Sequence, residues 1–221
     1  MCLVTGATGG IGRATVAGLA GEGGDVVASV LEDVDLSLPG AAARLAAEAG
    51  PVDVLVNCAG VGQYGPVHEA DAAKLFAVNV LAPIELTQAL LPGMRERGRG
   101  HVVNVGSIVG HVGRPNEAVY ASTKAALAVF TESLRAELRG TGVSASLITP
   151  TAVDTDFFAR RGAPYGRRWP KPLPPARIAA AIVVAIRDDR AEVCVPGWIG
   201  LAARVHGAAP RLYRALARRF D

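Results

Sequence analysis

The chain has 221 residues, half of them apolar and 19% charged, a composition that suits one sizeable core rather than a disordered chain and a length that is short for two domains. Uncharged runs such as 100–113 and 140–153 fall short of the ~20 apolar residues that cross a bilayer, so no membrane span is expected. The net charge is only +3, but residues 1–156 carry 10 basic and 16 acidic side chains while residues 157–221 carry 13 and 4, so the C-terminal part is expected to face something anionic.

Short β-branched runs predict strands at 2–5, 26–30, 52–57, 101–107, 143–149 and 192–195. Between them, alanine- and leucine-rich runs predict helices at 10–21, 39–49, 69–96, 117–139 and 175–187, with a last one at 211–220. The strands are continuous apolar runs rather than strict alternations, as in a parallel sheet covered on both faces. Strand–helix alternation predicts a doubly wound parallel sheet in a three-layer α/β/α domain over 1–197, followed by a basic tail over 198–221.

Cys2, Cys58 and Cys194 are odd in number and far apart, which excludes a disulfide framework and any CxxC site. His68, His101, His111 and His206 have no metal-binding spacing, so no metal is expected. The start, Met1 to Gly6, lacks a basic stretch followed by an apolar run, so neither an export signal nor a location outside the reducing cytoplasm is expected. No nucleic-acid-binding motif accompanies the basic residues, and nucleic acid is not an expected partner.

The first strand runs straight into Thr5-Gly6-Ala7-Thr8-Gly9-Gly10-Ile11-Gly12. A glycine turn between a strand and a helix start gathers free N–H groups and the positive end of the helix dipole, which together attract a phosphate. Further on, Tyr120 and Lys124 stand one helical turn apart and share a face. An ammonium ~4 Å from the phenol contributes about 4 kcal/mol at an effective dielectric of 20, enough to bring a tyrosine towards neutral pKa. Ser107 ends the strand carrying Val102-Val103-Asn104-Val105, at the carboxyl edge where open α/β sheets place ligands.

Taken together, these motifs resemble the short-chain dehydrogenase/reductase family in its compact single-domain branch, over Thr5 to about Val195. The resemblance rests on TGxxxGxG at Thr5, Gly6, Gly10 and Gly12, on Asn57-Cys58-Ala59-Gly60, on Asn79, on Ser107 thirteen positions before Tyr120, on the YxxxK of Tyr120 and Lys124, and on Pro150-Thr151 with Val153 and Thr155. It implies a Rossmann-type fold, a nicotinamide cofactor, NAD(H) or NADP(H), and interconversion of a ketone and a secondary alcohol. The implied catalytic residues are Ser107, Tyr120, Lys124 and Asn79. The implied cofactor contacts are Gly6, Thr8, Gly10, Ile11 and Gly12 in the turn, Asp35 and Leu36 at the adenine, Asn57, Ala59 and Gly60 after the third strand, Tyr120 and Lys124 at the ribose, and Pro150, Val153 and Thr155 at the carboxamide. It also implies a homodimer or homotetramer joined through the two long helices.

The chain departs from that pattern in places. Between Val30 and Val52 it is short by about a helix and a strand. Ser29 and Val30 stand where a terminal acid would select NAD, and no basic residue precedes Arg13 to pair a 2′-phosphate, which leans towards NAD, with Glu32 or Asp33 as ribose candidates. Cys58 replaces an asparagine and is expected to fill space as a small apolar residue. Pro83 has no N–H, so in a helix the carbonyl of Asn79 would lose its partner.

Residues 154–175 form the expected substrate lid. Phe157, Phe158, Tyr165 and Trp169 favour an apolar substrate, while Arg160, Arg161, Arg167, Arg168 and Lys171 favour an anionic group on it or its carrier. In the tail, Leu212, Tyr213, Leu216 and Phe220 form one apolar stripe among arginines, suited to a core, a second subunit or an anionic membrane. Two further readings stay open: a dinucleotide-binding regulator without turnover, and a reductase of 3-oxoacyl groups on an acidic acyl carrier.

Overall fold

The computed structural model describes residues 1–23, 25–29, 34–166 and 170–211. Six parallel strands, β1 (Cys2–Thr5), β2 (Val26–Ser29), β3 (Val54–Asn57), β4 (Gly100–Val105), β5 (Val143–Pro150) and β6 (Glu192–Val195), form one sheet in the order β2-β1-β3-β4-β5-β6. The order reverses at β1, whose two neighbours are β2 and β3, and a doubly wound sheet opens a crevice at such a switch point.

Successive side chains on each strand enter opposite cores. Leu3, Leu55, Val102 and Ala145 meet α2 (Ala41–Ala49), α4 (Ala82–Glu96) and α5 (Ala118–Glu137) through Leu45, Leu86, Met94 and Leu134. Val4, Val56, Val103 and Ile148 meet α1 (Gly10–Gly21) and α7 (Pro175–Arg187) through Leu19, Ile178 and Ile182. Both faces are dry, which is why the strands read as unbroken apolar runs. The three-layer α/β/α arrangement is therefore the one expected.

Several boundaries differ from expectation. The helix expected over 69–96 is divided into α3 (Ala72–Phe76), a π-helical turn at Ala77–Leu81, and α4. Pro83 cannot donate to the carbonyl of Asn79, and the ladder widens just there. The run Ala72–Glu96 is, by length and composition alone, apolar enough to cross a membrane, contrary to the reading from uncharged stretches. Half of its most apolar window is buried inside the protein, and Leu86, Leu90 and Met94 are core residues, so its apolarity is accounted for by packing on the sheet.

Another helix, α8 (Ile199–Ala208), follows β6 where only a tail was expected. Gly200 and Gly207 obscure it in the sequence, and Ile199 anchors its start in the core. The expected stripe of Leu212, Tyr213, Leu216 and Phe220 lies outside the described residues, as do Val30, Glu32, Asp33, Arg167, Arg168 and Trp169.

Candidate active site

The turn after β1 is held by close backbone approach. Gly6 has φ +67°, and a Cβ there would stand 2.8 Å from Cα of Ala59. A Cβ on Gly12 would come within 2.1 Å of the Gly6 carbonyl oxygen. Only glycine lets the turn fold back on α1 this tightly. Thr5 closes the other side, its hydroxyl accepting from the amides of Cys58 at 3.1 Å and Ala59 at 3.0 Å. Thr8 at the turn's rim is exposed, whereas Ile11 leans on the core.

Thr155 belongs to the same crevice. Its Cγ2 lies 2.4 Å from where a Cβ on Gly10 would be, so the segment after β5 reaches the start of α1. Val153 is buried and bridges to Leu173, and the hydroxyl oxygen of Thr151, beside Pro150, is buried without a hydrogen-bond partner. Open N–H groups at the start of α1 and this unpaired hydroxyl fit an elongated phosphate-bearing ligand laid across the carboxyl edge of the sheet.

Other expected contacts are placed differently. Leu36 is turned into the core, which leaves its backbone as the part a ligand could touch, and Asp35 accepts from Ser37 N at 2.9 Å and Ser37 Oγ at 2.7 Å. Asn57 faces the interior, its Nδ2 donating to Asn104 Oδ1 at 2.8 Å, and Asn104 in turn donates to Thr131 Oγ1 at 2.9 Å. This buried polar chain ties β3 through β4 to α5, beneath the crevice rather than in it. Burial pushes the Cys58 thiol up to about 12, so it stays protonated and inert, as expected of a space filler.

The acid–base group comes from β4, α5 and the π turn. Ser107 starts a 3₁₀ turn at Ile108–Gly110, where its hydroxyl accepts from Val109 N at 3.4 Å, and its influence lowers the pKa of Tyr120 in the first turn of α5. Lys124 Nζ donates to the Val105 carbonyl at 2.9 Å and stands 6.0 Å from the centre of the Tyr120 ring. Asn79 grips the strand-end backbone, with Nδ2 donating to Val61 O at 2.8 Å and Oδ1 accepting from Val61 N at 2.9 Å. Its Nδ2 also reaches Thr123 Oγ1 at 3.1 Å, which joins the π turn to α5. Gly60 runs between Asn79 and Lys124, and a Cβ there would stand 3.3 Å from Asn79 Oδ1 and 3.6 Å from Lys124 Nζ.

The electrostatics depart from expectation. Burial pushes the Tyr120 hydroxyl above its ordinary range, and Lys124 does not offset this because its ammonium is aimed at Val105. Burial also lowers Lys124 to about 8, which still leaves it mostly charged at neutral pH. Arg161 is likewise not a free cation for an anionic substrate: it is buried and paired with Glu117. The sequence reading overlooked Glu117, which carries no family motif and becomes notable only through this contact.

A family described as short chain dehydrogenase matches residues 33–165. The ketoacyl reductase HetN of Nostoc sp. is 37% identical over 154 residues, which span 66% of this chain and 52% of that protein. The chain spans about half to three-fifths of the length of the curated relatives it matches. A solved short-chain dehydrogenase from Streptomyces avermitilis is 30% identical, with a TM-score of 0.82 over 100% of this chain and 98% of that one. Another, from Burkholderia cenocepacia in complex with NADP, is 27% identical, with a TM-score of 0.84 over 99% and 96%.

Proposed function

The chain belongs to the short-chain dehydrogenase/reductase family, and on that premise we propose that it is a nicotinamide-dependent carbonyl reductase acting on a neutral, mostly apolar ketone. The observation that carries this reading is the Tyr120 hydroxyl, buried beside Ser107 and kept protonated at neutral pH, and so suited to give a proton to a carbonyl oxygen. The apolar surroundings of Tyr120, from Val61, Leu75, Val109 and Phe157, support the substrate class.

When bound, the reduced nicotinamide supplies a hydride to the carbonyl carbon. Tyr120 donates its proton to the oxygen, Ser107 orients that oxygen, and Lys124 offers its remaining N–H groups to ribose hydroxyls. Asn79 keeps the backbone at Val61 in place. The glycine turn and the start of α1 would hold the diphosphate, with Thr155 and Thr151 towards the carboxamide end. Solved relatives are described with NADP and with NAD, so both forms are candidates. Exposed Leu81 and Val129 on the long helical segments support pairing with a second copy. A 3-oxoacyl group on an acidic carrier is the second reading, supported by the likeness to a ketoacyl reductase and by the basic charge of residues 157–221. Salt would then slow turnover of carrier-linked but not free substrates.

Thermal-shift titration with both reduced dinucleotides, followed by turnover of apolar ketones, tests the proposal. A dinucleotide at 100 times its Kd should stabilise by ~2.7 kcal/mol, roughly 5–10 °C in a domain of this size. Tyr120→Phe should keep that shift and lose turnover by about 10²-fold or more. No stabilisation by either dinucleotide, or full activity in Tyr120→Phe, would refute it.

A further inference from the structure

The lid, the loop after β3 and the approach to α5 converge on one buried ion pair. Arg161 directly follows α6 (Phe157–Arg160), and its guanidinium contacts the carboxylate of Glu117, the residue just before α5. They are 8% and 3% exposed, so the pair is desolvated, and either charge alone would be costly there. The guanidinium carbon also lies 5.1 Å from the ring centre of Tyr64 and 4.7 Å from that of Phe158, and its Nε donates to Ala163 O at 3.2 Å.

Backbone contacts lock the same three segments together. Tyr64 N donates to Arg161 O at 2.9 Å, Gly65 N to Asn116 O at 2.9 Å, and Asn116 Nδ2 to the Tyr64 hydroxyl at 3.1 Å. On the site side, the Phe157 ring centre is 5.5 Å from that of Tyr120, and a Cβ on Gly62 would come within 2.5 Å of the Phe157 ring tip. Phe157 therefore sits in a notch left by Gly62, directly against the proton donor.

We propose that the Glu117–Arg161 pair is a latch that positions the aromatic lid against Tyr120 and, because the two charges offset each other, keeps either from acting alone on the Tyr120 hydroxyl. Its effect on substrate reduction rests on the function proposed above; its hold on the lid does not. Glu117 raises the Tyr120 pKa and Arg161 lowers it. Among the described residues, the other groups facing this cluster are Ser107 and Lys124 at Tyr120, Tyr165, whose ring centre is 5.0 Å from that of Phe158, and Arg114, 3.9 Å from the Glu117 carboxylate.

Glu117→Gln, Arg161→Met and the double variant test the latch, with trypsin cleavage after Arg160 in the native protein as the first readout. Each single variant leaves one buried charge of the pair without its main partner and should be cleaved about tenfold faster or more, while the double variant, which keeps neither of the two buried charges and leaves only the partly exposed Arg114 nearby, should return close to the wild-type rate. The second readout is the alkaline limb of tyrosinate absorbance, wild type minus Tyr120→Phe, which follows the Tyr120 phenol itself; ketone reduction does not report it, because Lys124, lowered to about 8, loses its proton first. Glu117→Gln leaves Arg161 unopposed and should move that limb to lower pH. Arg161→Met leaves Glu117 with only Arg114, 3.9 Å away, and should move it to higher pH, and the double variant should lie near wild type.

Single variants cleaved at the wild-type rate, limbs that move in the same direction, or a double variant as open as the singles would overturn the latch. A single variant that fails to fold beside a double variant that folds and resists trypsin supports it. If the wild type reduces no ketone with either dinucleotide, the proposed function falls, while the cleavage series and the phenol titration still decide the latch.

Discussion

At Tyr120 and Lys124 two titratable groups share one buried place, and each is pushed towards its neutral form: the phenol up, the ammonium down to about 8. The spacing of the pair suggested mutual stabilisation, but the Val105 carbonyl takes the ammonium instead. The fold therefore bears a cost for Lys124 at neutral pH. From 10.5 to about 8 is a drop worth about 3 kcal/mol. That cost is fully present below pH 8, because the unfolded chain binds the proton more tightly, and it fades as pH rises towards 10.5. Lys124→Met should lose turnover yet melt no lower than wild type at pH 7, and its advantage should shrink in alkaline buffer. A melting point several degrees below wild type at pH 7 would contradict this.

Among the elements, the turn into α1 and the divided α3–α4 helix do most to build the crevice. A Cβ on Gly12 would meet the carbonyl oxygen of Gly6, a backbone atom with no side-chain freedom to move away. Gly12→Ala should destabilise the protein by about 1–3 kcal/mol and abolish the dinucleotide shift. Equal shifts in wild type and variant would show that this turn does not hold the ligand. The π turn at Ala77–Leu81 places Asn79, 0% exposed, where one side chain satisfies both polar groups of Val61. Pro83 was visible in the sequence as a broken hydrogen bond. Its resolution into a π turn depends on Thr123 and Val61, which lie on other elements.

Across the whole molecule, the end of the sheet opposite the crevice is held by polar contacts between β4, β5 and the segment leading to β6. His101 Nε2 lies 2.7 Å from Ser146 Oγ, and Arg135 binds Asp189 Oδ1 at 2.9 Å and the Ala145 carbonyl at 2.7 Å. Burial holds His101 down to about 4. The unfolded chain takes up this proton near pH 6.5 and the folded one only near 4, so stability is lost as pH falls through that window, by about 3 kcal/mol in all. Denaturant melts at pH 7 and pH 4.5 should show most of this loss, and His101→Gln should reduce it. An unchanged difference in the variant would assign the acid sensitivity elsewhere.

The candidate residues of the site could be picked out in the chain because each chemical task restricts residue type at a set spacing: glycine where backbone meets backbone, tyrosine and lysine one turn apart, serine at a strand end. The sheet could be named because burial on both faces leaves continuous apolar runs, as in Val102-Val103 and Leu55-Val56. Tertiary structure alone decided where charges end up. It turned Lys124 to Val105, took Asn57 into the interior, and paired Arg161 with Glu117 forty-four positions away. Charge interactions depend on distance and desolvation in space, and neither quantity is written in the local order of residues.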